Sequence, residues 1–145
     1  MRVSRKIELR FERTIPAAPD ELYDAWLDRE IPGSPWHEGD KLILNPEVDG
    51  FFYWLVGGTA HYGRFTEIKR PSVIQHTWVS PYTLGEESTV TVTFQKKGED
   101  TLMTLVHSGL PDTEEGRTHN EGWNHFMDLF PEHFGDAARK KRKSA

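Results

Sequence analysis

The chain has 145 residues, enough for one domain with a core of its own. It contains no cysteine, which excludes disulfides, thiolate nucleophiles and thiolate metal sites together. The net charge is −5 although Arg139–Lys143 is a run of five cations, so the rest of the chain is strongly acidic and repels phosphate backbones.

The first residues, Met1-Arg2-Val3-Ser4-Arg5-Lys6, include no apolar run of the kind that opens a signal peptide, and the expected location is cytoplasmic. The longest apolar stretch, Phe51–Val56, is too short to cross a bilayer as a helix, so no membrane insertion is expected. Ile7, Leu9 and Phe11 alternate with Glu8, Arg10 and Glu12, the period-two pattern of a half-buried strand. Pro16-Ala17-Ala18-Pro19-Asp20-Glu21 then reads as a helix start, with proline at the first position and acids in the first turn. Leu22, Ala25 and Trp26 give it an apolar stripe, and Pro32-Gly33-Ser34-Pro35 stops it.

Six more strands follow: Lys41–Asn45, Phe51–Val56, Ala60–Lys69, Val73–Val79, Ser88–Lys96 and Thr101–Ser108. Their connections are short, which predicts antiparallel neighbours. Asp112 followed by Glu115 suggests a capping box, and His119, Trp123, Phe126, Met127 and Phe130 then fall on one helical face. Pro131 predicts a kink or an end near that point. The expected domain covers 1–135, with a basic, flexible tail over 136–145.

The order strand, helix, six strands, long helix predicts an α+β, helix-grip architecture. A curved antiparallel sheet of about seven strands wraps a long C-terminal helix, burying both apolar surfaces. Bulky Trp123 and Phe126 hold the helix off the sheet, and a cavity is the expected result.

Several segments carry a resemblance. They are Ile15–Trp26, Gly63-Arg64-Phe65-Thr66-Glu67-Ile68, Val73-Ile74-Gln75-His76-Thr77-Trp78, Glu87–Val92, and Gly122-Trp123 followed by Phe126 and Leu129. In this order they resemble the SRPBCC superfamily, which includes START domains and the birch-pollen-allergen proteins. Within it they resemble homologues of the C-terminal domain of the heat-shock ATPase activator, the Aha-type co-chaperone. Asn45-Pro46-Glu47-Val48-Asp49-Gly50 departs from the acidic, glycine-rich hairpin common in that family. The resemblance implies a fold and a pocket more firmly than an activity, because this fold hosts carriers, sensors, cyclases and co-chaperone modules.

The seven histidines, at 37, 61, 76, 107, 119, 125 and 133, include no i, i+4 pair and no H-x-H, so no metal and no cofactor is expected. His119 lies one turn before Trp123, while His76 and His107 alternate in phase with apolar neighbours. With no cysteine and no G-x-S-x-G elbow, no catalytic residue is assigned. The resulting expectation is non-enzymatic binding of a small hydrophobic or amphipathic molecule between the last helix and the sheet. Trp54, Phe65, Trp78, Trp123 and Phe126 are its walls, and His76, His107 and His119 its orienting polar groups. Two alternatives stand beside it: a module whose partner is a chaperone ATPase, and a pocket enzyme of the cyclase or dehydratase type using the same three histidines. A homodimer is compatible with the fold; a nucleic-acid partner is not expected.

Overall fold

The computed structural model describes residues 5–144, and the side chains of residues 5–135. Among the described residues no helix is long and apolar enough to cross a membrane. Strands β1 (Lys6–Ile15), β2 (Lys41–Leu44), β3 (Phe51–Val56), β4 (Thr59–Lys69), β5 (Val73–Trp78), β6 (Ser88–Lys97) and β7 (Asp100–Pro111) form one sheet. Its order is β1-β7-β6-β5-β4-β3-β2, with every pair antiparallel. Helix α1 (Pro19–Trp26) follows β1, and helix α2 (Glu114–Ser144) follows β7. The architecture is the α+β helix-grip fold that the element order predicts.

Alternation decides which face of the sheet is buried. On β6, Val90, Val92 and Phe94 are buried, while Thr89, Thr91 and Thr93 look out. The outer face is tied by polar cross-strand contacts: Thr66 Oγ1–H donates to Gln75 Oε1 and Gln75 Nε2–H to Thr91 Oγ1, each at 3.0 Å. The inner face carries Phe52, Phe65, Ile74, Val92 and Leu105 against Trp123, Phe126, Met127, Phe130 and Phe134 of α2.

Three local features depart from the sequence expectation. Strand β7 continues to Pro111 rather than stopping at Ser108, because β1 pairs with its end, Lys6 with Pro111 and Ile7 with Leu110. The interruption that reads as a strand end is a bulge, with a register shift between Ile7 and Leu9 and Gly109 at φ +75°. At the start of α2 it is Thr113, not Asp112, whose hydroxyl accepts the N–H of Gly116, at 3.2 Å. Asp112 instead pairs with Arg117 at 2.9 Å.

The third concerns Pro131: of the kink or end expected there, the end does not occur, and the proline lies inside α2. A proline within a helix costs about 3 kcal/mol through the lost ladder bond and steric conflict. Burial of each large apolar side chain returns roughly 1.5–3 kcal/mol. Met127 and Phe130 are fully buried and Phe134 nearly so, which outweighs the proline. Phe130 stands edge-on to Trp26 with ring centres 5.1 Å apart. Beneath it runs Gly33, at φ +94°, where a Cβ would come within 2.5 Å of the Phe130 backbone, so glycine alone admits the helix here. The expected basic tail over 136–145 lies outside the described side chains.

Candidate functional site

A cavity of about 320 Å³ opens between the first half of α2 and strands β3, β4 and β5. Its sheet side is Trp54 and Val56 on β3, His61 on β4 and Trp78 on β5, with Tyr82 beyond the end of β5. Its helix side is His119, Gly122, Trp123 and Phe126, at i, i+3, i+4 and i+7, flanked by Thr118, Glu121 and His125. Period two on the strands and 3.6 on the helix bring these residues together from distant parts of the chain.

Each indole of the wall is anchored by its N–H. Trp54 Nε1–H donates to the Glu38 carbonyl at 2.8 Å, and the next residue is Gly39 at φ +105°. A Cβ there would lie 2.6 Å from Trp54 Nε1, so the bond requires glycine at that turn. Trp78 Nε1–H donates to His119 Nε2 at 3.2 Å, and Trp123 Nε1–H donates to His107 Nδ1 at 2.9 Å. Since an indole nitrogen can only donate, both imidazoles accept at those atoms, which settles their tautomers. His119 then donates from Nδ1 to the Gly116 carbonyl at 3.0 Å. His107 donates from Nε2 to Ser88 Oγ at 2.8 Å, and Ser88 Oγ–H donates to the Trp78 carbonyl at 2.7 Å.

The network ties α2 to β5, β6 and β7 and fixes Trp78 and Trp123 in the cavity wall. Trp78 and Trp123 have ring centres 5.2 Å apart, Trp54 and Phe126 6.0 Å, and His107 and His119 5.0 Å with planes at 81°. A positive charge on either histidine would set N–H against N–H. Burial also opposes it: desolvation lowers the pKa of His119 and drives that of His107 well below the ordinary value, with further repulsion from His119 and His76. Burial likewise lowers His76 to about 4, while its Nδ1–H donates to the Thr77 carbonyl at 2.9 Å.

The Ser88–His107 contact superficially resembles a nucleophile and its base. The direction of its bonds argues otherwise, because Ser88 donates to a carbonyl and accepts from His107. Neither residue lines the cavity, and both are buried. The pair holds structure.

His61 differs from the other cavity residues. It lies between Trp54 and Trp78, at ring distances of 5.0 and 5.1 Å, and is 9% exposed. Its Nδ1 is enclosed without a hydrogen-bond partner. Burial is the main cause lowering its pKa, with repulsion from His119 in the same direction; the nearby carbonyls of Trp54 and Thr59 act the other way, without meeting hydrogen-bond geometry at Nδ1. At the mouth, His125 Nε2 meets Glu38 Oε2 at 2.8 Å, linking α2 to the segment before β2.

Of the eight residues singled out from sequence, Trp54, Trp78, His119, Trp123 and Phe126 line the cavity. Phe65, His76 and His107 do not; they lie behind it, at most 1% exposed. Alternation fixes the face a residue occupies but not its depth. Trp36 supplies the missing layer: from the short 3-10 turn Pro35–His37 it packs 5.1 Å from Phe52 and 6.0 Å from His76. Sequence reasoning passed over His61, although it alternates in phase with Gly63 and Phe65 and pairs with Trp54 across β3 and β4. That phase is the signal that finds it. Among the described residues no group of three or more His, Asp or Glu is placed to hold a metal ion.

Known proteins of similar sequence and shape extend these observations. The chain is 26% identical over 134 residues to the human (Homo sapiens) activator of 90 kDa heat shock protein ATPase homolog 1, a match covering 91% of this chain but 38% of that protein. The crystal structure of an HSP90 activator from Plasmodium falciparum is 25% identical, with a TM-score of 0.66 over 85% of this chain and 89% of that one. A Mesorhizobium loti protein of 18% identity shares the fold with a TM-score of 0.73, over 90% and 98% of the two chains. The model of one family, described as Activator of Hsp90 ATPase homolog 1-like protein, matches residues 16–135, and the chain belongs to that family.

Proposed function

We propose that this domain binds a small hydrophobic or amphipathic molecule in the cavity between α2 and the sheet. The observation that carries the reading is a wall of indole faces whose N–H groups are all bonded within the protein. A surface built this way offers apolar area and asks for no polar partner, the property a hydrophobic guest needs. The cavity's size, about 320 Å³, is at the small end of the roughly 300–1,000 Å³ typical of such sites. Gly122 lends support. It interrupts helical propensity at a cost of about 1 kcal/mol relative to alanine, yet a Cβ there would meet nothing within 4 Å. Close packing does not require that glycine, and it stands on the helix side of the cavity.

Phe65, His76 and His107 serve in this reading as the layer that holds Trp78 and Trp123 in place. His119 joins the wall and orients Trp78. Catalysis by His76, His107 and His119 gains no support, since two of them stand behind the wall and the third has both nitrogens engaged. Titration of tryptophan fluorescence with uncharged aromatic compounds and short lipids is the test. A saturable change is expected, and a flat response across the panel contradicts the proposal.

A second reading, association with a chaperone ATPase, is favoured by family membership and by the Plasmodium falciparum relative. The chain spans 38% of the human relative's length, so that protein's full activity does not transfer with the match. ATP turnover by purified Hsp90, with and without this chain, tests it; unchanged turnover counts against it.

A further inference from the structure

The residues lining the cavity differ in what they can still offer a guest. The indole N–H groups are engaged, Thr118 Oγ1 donates to the Glu114 carbonyl at 2.9 Å, His119 uses both nitrogens, and His125 is held by Glu38. His61 alone is a nearly buried polar group whose hydrogen-bonding capacity no described residue takes up. Its Nδ1 is enclosed and out of a guest's reach, so the nitrogen a guest can meet is Nε2, which makes no hydrogen bond to a described residue.

Charge narrows the guest further. Among the described residues no lysine or arginine lines the cavity, so a carboxylate would leave water for aromatic walls with no described cation to meet it. The acidic lining residue, Glu121, is exposed, and a carboxylate in water returns little of the cost of desolvating an ammonium group. Charges of both signs are therefore disfavoured.

Taking the cavity as a ligand site, as proposed above, we infer that it selects an uncharged ring compound bearing a hydroxyl group, with His61 as the specificity-determining contact. Neutral imidazole carries one N–H and one lone pair. A hydroxyl both donates and accepts, so it pairs with Nε2 whichever tautomer is present. The flat walls of Trp54, Trp78 and Trp123 take the ring.

Isothermal titration of the purified chain at about pH 7.5 with four probes tests this: 2-naphthol, naphthalene, 2-naphthoate and (2-naphthylmethyl)ammonium. One hydrogen bond gives 2-naphthol an advantage of about 5- to 10-fold over naphthalene. The two charged probes bind at least about 100-fold more weakly than 2-naphthol, because neither finds a buried counter-charge. His61→Phe brings 2-naphthol down to naphthalene while naphthalene binding persists, and His61→Gln retains part of the preference. The ranking on the unaltered chain stands even where a variant does not fold. Equal binding of 2-naphthol and naphthalene, a charged probe binding as well as 2-naphthol, or a preference that survives His61→Phe overturns the inference and leaves the cavity reading intact. No binding by any of the four overturns the cavity reading itself.

Discussion

Trp123 of the last helix donates its indole N–H to Nδ1 of His107 on β7, at 2.9 Å, and His107 in turn donates from Nε2 to Ser88. One neutral imidazole thus joins the helix to two strands, and it works only while it both accepts and donates.

Replacing it removes both bonds. In His107→Phe the ring volume is roughly kept, but the Trp123 N–H is left buried without an acceptor. A loss of about 2–4 kcal/mol is expected, from an unsatisfied donor at about 1–3 kcal/mol plus the lost bond to Ser88. Urea denaturation followed by tryptophan fluorescence measures it. A change below 1 kcal/mol contradicts the role given to His107.

Acidification acts on the same elements. The pKa values of His61, His76, His107 and His119 are lowered by folding, so below about pH 6.5 the unfolded chain binds more protons than the native one. Their contribution is complete above the unfolded value and is lost as pH falls. For His76 the window runs from 6.5 down to about 4. Stability should therefore fall steadily between about pH 7 and 4.5, and His76→Leu should flatten part of the slope. Denaturation midpoints that do not change across this range contradict the buried neutral histidines.

Backbone geometry makes a third prediction. Gly39→Ala must hold alanine at φ +105° and displace Trp54 Nε1 from the Glu38 carbonyl. Strain of about 1–3 kcal/mol is expected, with a change in Trp54 emission as its N–H reaches water. Gly57→Ala, also at positive φ but with nothing within 4 Å of the added carbon, is the control for strain without collision. Equal losses in the two variants contradict the close approach.

Most of the fold was legible because it rests on periodicity. Val90, Val92 and Phe94 against Thr89, Thr91 and Thr93, and His119, Trp123 and Phe126 on one helical face, each report an interface directly. Sequence and structure part where local chemistry competes with tertiary contacts. Gly109 reads as a strand end and is a bulge supported by β1; Pro131 reads as a kink or an end, and the helix runs on through it, carried by the burial of Phe130. Depth was not legible at all. Trp36 enters from an irregular segment with no period, and its insertion places His76 behind the wall and leaves His61 in it. The hydrogen-bond directions that distinguish a structural serine–histidine pair from a reactive one likewise require coordinates.

The central claim is that the space between α2 and the sheet admits a hydrophobic guest. Gly122→Leu tests it most directly, because the added side chain starts in open space at the cavity mouth and improves helix propensity by up to about 1 kcal/mol. The measurement is the affinity of the uncharged fluorescent probe N-phenyl-1-naphthylamine for both chains, alongside their urea midpoints. The account predicts probe affinity at least about 10-fold weaker, as for a loss of roughly 1.4 kcal/mol, with equal or higher stability. Unaltered affinity in a stable Gly122→Leu chain places the guest elsewhere and contradicts it.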